Sequence, residues 1–176
     1  NQAAEHVQHD VYGQVLLGVA QSFFDKRLLS QPGIAEFEQL EPVGERAFAV
    51  YDTPDAGIWE FRTIAHVHTS SAIMCWAACD RLARIAESLG VEARQEYWSE
   101  RANIIHATIL EKAWNPEIGA FTAAFGGKDL DASVLLMAEI GFLPASDERY
   151  IGTVNAVDRD LREGNHVYRY KVEDDF

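Results

Sequence analysis

Met74-Cys75-Trp76-Ala77-Ala78-Cys79-Asp80-Arg81-Leu82-Ala83-Arg84-Ile85-Ala86-Glu87-Ser88-Leu89-Gly90 carries the clearest helical period in the chain. Met74, Ala78, Leu82, Ile85, Ala86 and Leu89 return at spacings of three and four, so they fall on one face of an α-helix. Gly90 is placed as the residue just past its end, where a left-handed backbone is free of Cβ strain only for glycine. Cys75 and Cys79 sit on consecutive turns of that helix. A bridge between them would constrain nothing else, so both are expected to be buried thiols, which suits a reducing cytoplasm.

The same period recurs on either side. Val11, Val15, Leu16, Val19 and Phe23 form a stripe that Asp10 can cap. Trp98, Ala102, Ile105, Ile109 and Ala113 form another, stopped by Asn115-Pro116. Residues 132–140 read as a short helix that is apolar on most sides. Ser146 can cap a last one, with Ile151, Val154, Val157 and Leu161 turned inward. Gln31-Pro32-Gly33 is a break, and residues 119–127 read as a loop or short extended piece. There is no convincing alternating strand and no repeat at a fixed period. The fold class predicted is all-α, five or six helices arranged in hairpins, as one domain over residues 1–176.

With 176 residues, 48% hydrophobic and 24% charged, the chain can bury a core and does not have the composition of a disordered one. A formal net charge of −13 argues against nucleic acid and against anionic membrane surfaces as partners. An uncharged sugar carries no such penalty. No apolar run is long enough to span a bilayer.

The chemistry concentrates in Pro54-Asp55-Ala56-Gly57-Ile58-Trp59-Glu60-Phe61-Arg62. Trp59 and Phe61 flank Glu60, and apolar neighbours help a carboxyl group keep its proton, as a general acid must. Arg62 pulls the other way by favouring the charged form. Glu60 is therefore either a proton donor or a surface carboxylate paired with Arg62. Neither His6/His9 nor His66/His68 is accompanied by a helical zinc motif, and Gly126-Gly127-Lys128 lacks the rest of a phosphate-binding loop. No metal and no cofactor is expected.

This segment resembles the Pro-Asp-x-Gly-Ile-Trp-Glu-x-Arg signature of glycoside hydrolase family 15, the bacterial glucoamylase and trehalase-like enzymes. The likeness runs on in family order. Asn1-Gln2 and Gln8-His9-Asp10-Val11-Tyr12-Gly13 precede it, and His68-Thr69 with Met74–Leu82 follow. Ala113-Trp114-Asn115, Gly119-Ala120-Phe121, Leu130-Asp131-Ala132-Ser133 and Gly141-Phe142-Leu143 come next. Val167-Tyr168-Arg169-Tyr170 and Asp174-Asp175-Phe176 close it.

The resemblance implies an α/α barrel of six helical hairpins (a toroid), with a pocket built from loops at one end. It implies cleavage of α-glucosidic bonds in an oligosaccharide or disaccharide, with inversion, and Glu60 as the catalytic acid. Arg169 is similar to the family arginine that hydrogen-bonds sugar hydroxyls; its other reading is a salt bridge with Asp174 or Asp175. Asp55 would bind a sugar hydroxyl or cap the Gly57 turn. Trp59 would form a stacking wall or belong to the core. Arg62 belongs to the substrate-binding set. His68 lies where the family carries a histidine near the pocket rim, and a structural role is its alternative.

The resemblance also places the catalytic base beyond Phe176 and early barrel helices before Asn1. On that reading the chain is an internal piece of a catalytic domain, incomplete as a barrel, inactive alone and prone to self-association through exposed helix faces. Phe61 stands where fungal members carry a second acid, and Ser70 and Ala72 lie near positions at which many members have Tyr and Lys. A preference for starch-like chains therefore does not carry over. The rival readings are a helical toroid domain that binds carbohydrate or protein without catalysis, and a purely structural all-α domain.

Overall fold

Six α-helices dominate residues 6–61 and 64–171, which the computed structural model describes: α1 (Asp10–Phe24), α2 (Ile34–Val50), α3 (Thr69–Ser88), α4 (Glu92–Lys112), α5 (Leu136–Glu139) and α6 (Glu148–Leu161). Helix α3 is the hub and packs against α1, α2 and α4. Every residue from Thr69 to Cys79 is buried, as a helix enclosed on several sides requires. Its predicted face is inward, with Leu89 partly buried at the end. Gly90 takes φ 71°, and the N–H groups of Gly90 and Val91 donate to Glu87 and Ala86 (3.0 Å each). Two of the helix's last carbonyls are thereby satisfied, and the chain turns straight into α4. Trp98, Ala102, Ile105, Ile109 and Ala113 are buried as their spacing predicts. Cys75 and Cys79 are free, buried thiols, and burial pushes both up, Cys79 to about 12.

Three expectations are corrected. In α1 the N-cap is His9, and Asp10 is the first helical residue, its side chain accepting from Gln14. The inward face is Gly13, Leu16, Ala20 and Phe23, whereas Val11, Val15 and Val19 are 44%, 44% and 38% exposed. The cause is proximity to α3: a Cβ on Gly13 would lie 2.1 Å from the Met74 carbonyl oxygen. Only a face of small residues allows that approach, and it turns the valines outward. In α6 the cap is Asp147 rather than Ser146, its carboxylate accepting from Arg149 N–H (2.9 Å). Ile151 and Val154 face outward, while Thr153, Ala156, Val157 and Leu161 are buried. Thr153 belongs inside because its hydroxyl oxygen accepts from Phe121 N–H (3.0 Å).

Helix α2 is the third correction, a helix absent from the predicted set. Phe37, Gly44, Ala47 and Val50 are its buried side, with Pro42 on the exposed one. Buried Glu41 accepts from Trp98 Nε1 (2.9 Å) and from Arg94, which satisfies a carboxylate at an apolar position. Two minimal hairpins complete the picture, β1–β2 (Trp114–Asn115, Ala120–Phe121) and β3–β4 (Arg162–Glu163, His166–Val167).

Candidate functional site

Three loops meet at the end of the molecule where α3 begins and α4 finishes. The first joins α2 to α3. Its backbone is tied by an antiparallel bridge between Asp55 and His66 and by Ala56 N–H donating to Val7 (2.8 Å). Asp55 is 2% exposed, and its Oδ2 accepts from His9 N–H and from Ser71 Oγ–H, both at 2.8 Å. It therefore staples the starts of α1 and α3 together from inside the protein. Both contacts are to Oδ2 and neither is to the Gly57 turn, while Oδ1 has no hydrogen-bond partner among the described residues. Asp10, buried nearby, is held above the usual carboxylate range by burial and by the charge of Asp55.

Beyond Asp55 the loop makes one tight turn. Phe61 N–H donates to Ala56 (3.0 Å) and Glu60 N–H to Gly57 (3.1 Å). This pattern normally ends a helix with glycine in the left-handed position. Here Glu60 occupies that position, with φ 58°, alone among the described non-glycine residues in having positive φ. Such a backbone costs an L-residue about 1–2 kcal/mol. Gly57 is held at φ 66° with its α-carbon on the imidazole of His68, where a Cβ would come within 2.8 Å of the ring.

The turn presents its side chains in different directions. Glu60 is exposed, Trp59 is half-buried and Phe61 is buried. The enclosure of Glu60 between its two aromatic neighbours, expected from the sequence, is absent. Phe61 instead opens a cavity of about 350 Å³ that it lines with His66, His68, Asp129, Asp131 and Tyr170. His68 lies parallel to Phe61 (5.7 Å between centroids) and is 7% exposed. Burial lowers its pKa, outweighing the carboxylate of Asp55, so its ring is neutral at pH 7. Its Nε2 has no hydrogen-bond partner among the described residues. A neutral imidazole nitrogen at a cavity wall can accept from or donate to a ligand hydroxyl.

Trp59 is neither a bare stacking wall nor a core residue. Its Nε1–H donates to Asp131 Oδ2 (2.8 Å), and the Arg169 guanidinium lies 4.8 Å from its ring centroid. Tyr170 packs against Trp59 (6.3 Å) and Phe61 (5.4 Å). Of the predicted site residues His68 lines the cavity, while Trp59 and Glu60 sit on the turn that runs into cavity-lining Phe61, with Arg169 against the Trp59 ring. Arg62, Asp174 and Asp175 lie outside the described residues. Phe61, Asp131 and Tyr170 were not among the predicted site residues, although each sits inside a motif quoted above. No group of three or more metal-binding side chains gathers among the described residues.

A loop-built cavity at one end of packed helical hairpins, walled by aromatic rings, a buried imidazole and carboxylates, has the form of a small-molecule site in an all-α domain. The chain belongs to glycosyl hydrolases family 15, which residues 1–175 match. It is 38% identical to a trehalase of Mycobacterium tuberculosis, over 99% of this chain and 25% of that protein. A trehalase of Thermoplasma volcanium is 29% identical over 99% of this chain and 28% of its own length. The chain thus spans little more than a quarter of these relatives.

Two solved structures share the fold. A glycosidase variant in complex with glucose superposes with a TM-score of 0.80 at 19% identity, covering 96% of this chain and 44% of that one. A bacterial glucoamylase complexed with acarbose gives 0.73 at 17% identity, over 94% and 28%. The helical hairpins described here are therefore those of the α/α-barrel glycosidases.

Proposed function

We propose that the protein hydrolyses α-glucosides with inversion, in trehalase-like or glucoamylase-like fashion, and that Glu60 is its proton donor. The observation that carries this reading is the left-handed backbone of Glu60, on a turn whose next residue, Phe61, lines the cavity. A glycine would occupy that position without strain. Strain retained at one residue next to a cavity-lining ring is what a functional constraint produces.

On this reading the sugar sits against the cavity wall, with hydroxyls held by His68, Arg169 and Arg62 and a face toward Trp59. Glu60 protonates the bridging oxygen as the bond breaks. Water enters from the opposite face, activated by a second carboxylate about 6.5–9.5 Å from the first. None of the described residues is assigned as that base. The named trehalases at 38% and 29% identity make trehalose the first substrate to test.

The test is the anomeric form of the first glucose released by the full-length protein, followed by NMR before mutarotation. Inversion yields β-glucose from the non-reducing residue of maltose, and equal α- and β-glucose from trehalose. Release of α-glucose alone would contradict it. Replacing Glu60 by Gln should lower the rate on either sugar by about 100- to 10,000-fold.

A further inference from the structure

Asp131 sits 72 positions along the chain from Trp59, yet its carboxylate is the partner of the indole. It is 6% exposed, and both its oxygens are engaged. Oδ1 accepts from Ser133 N–H (2.8 Å) at the start of the 3-10 turn Ala132–Leu135, which runs on into α5. Oδ2 accepts from Trp59 Nε1–H (2.8 Å). The next residue, Ala132, donates its N–H to the carbonyl of Arg169 (2.8 Å). Two adjacent residues thus hold the loop that carries Glu60 and the loop that carries Arg169.

We propose that Asp131 is a positioning residue: by fixing the Trp59 indole it holds the neighbouring Glu60 carboxyl, and the Arg169 guanidinium over the same ring, in working register. The proposal rests on the glycosidase reading given above. A charged acceptor makes the stronger kind of hydrogen bond, and burial shields it from competing water. Glu60 needs such an anchor. Its backbone is strained, and among the described residues its turn is otherwise held by the two hydrogen bonds to Ala56 and Gly57 and by Gln8 Nε2–H donating to the Gly57 carbonyl (3.2 Å). Released from Asp131, the indole is free to shift about its side-chain torsions, and the turn loses its tie to the loop that carries Asp131. Displacement by about 1 Å at a reacting group can cost about 100-fold in rate.

The experiment is a double-mutant cycle in the full-length protein, with Asp131→Asn, Trp59→Phe and the pair measured on trehalose and maltose. Asparagine preserves shape, but its single side-chain oxygen cannot accept from both Trp59 and Ser133. Each single variant should lower kcat by about 10- to 100-fold, with KM changed less than about threefold. The pair should be no slower than the slower single variant, because each removes the same interaction. Losses that multiply would overturn the proposal and leave Asp131 as the cap of the 3-10 turn. Should Asp131→Asn fail to fold, an indole analogue at position 59 with sulfur in place of N–H removes only this bond. It must reproduce the loss, and an unchanged kcat overturns the claim. Glu60→Gln is run alongside. If it leaves hydrolysis intact, the reading of Glu60 as proton donor falls and this proposal falls with it, whereas multiplying losses beside a dead Glu60→Gln sink only the positioning role.

Discussion

Glu60 concentrates the conflict between stability and function at a single residue. Its φ of 58° places it where glycine is the comfortable choice. Glu60→Gly should therefore melt at or above the temperature of the unaltered protein while losing the activity. A melting temperature several degrees lower would show that the side chain has a structural role. His68 offers a second test. Its folded-state pKa lies below the ordinary 6.5 because burial disfavours the imidazolium. The unfolded chain therefore takes up the proton first as pH falls, so stability is full above about pH 6.5 and is lost on going below it. His9 shifts in the same direction; Asp10, raised by burial, contributes the opposite slope, losing its stabilisation as pH rises. Melting curves at pH 7.5 and 5.5 should show a smaller pH-dependent drop in His68→Asn, and an unchanged drop would contradict the assignment. None of this strain or burial could be read from the sequence. The residue types around Glu60 were legible there, but not that Phe61 turns inward and Glu60 outward.

Elements were legible where their apolar residues were large and regularly spaced. Helix α4 shows Trp98, Ala102, Ile105, Ile109 and Ala113 buried as spaced, and α3 with its Gly90 cap is as clear. Helix α1 misled because its buried side is built of Gly13 and Ala20 as well as Leu16 and Phe23, so the valines outweighed it. Helix α2 was hidden by Pro42 and by Glu41, a carboxylate at a buried position. Yet Phe37, Gly44, Ala47 and Val50 follow the helical period, and weighting small residues as core would have found it. The same physics makes Gly13→Ala costly. The added methyl would meet backbone at 2.1 Å, which a side-chain rotation cannot relieve. Denaturant unfolding should show a net loss of about 2 kcal/mol despite alanine's better helix propensity. A stabilised variant would mean that α1 and α3 are not so close.

At the scale of the whole molecule, the outward face of α1 is unusual for a chain with a net charge of −13. From Val11 to Phe24 that helix has no charged residue, and Val7, Val11, Val15 and Val19 are all more than a third exposed. A patch of this kind favours association. Sedimentation of residues 1–176 should show oligomers that weaken in Val15→Lys, a surface change expected to alter stability by less than about 0.5 kcal/mol. A monomer at every concentration would contradict that expectation.

The central claim is proton donation by Glu60, and leaving-group dependence reaches it most directly. In the full-length protein, Glu60→Gln should be slowed at least about 100-fold on trehalose, whose leaving sugar needs the proton. On α-glucosyl fluoride, whose leaving group departs with little acid assistance, the same variant should keep most of its rate. Equal losses on both substrates, or none on either, would contradict the account.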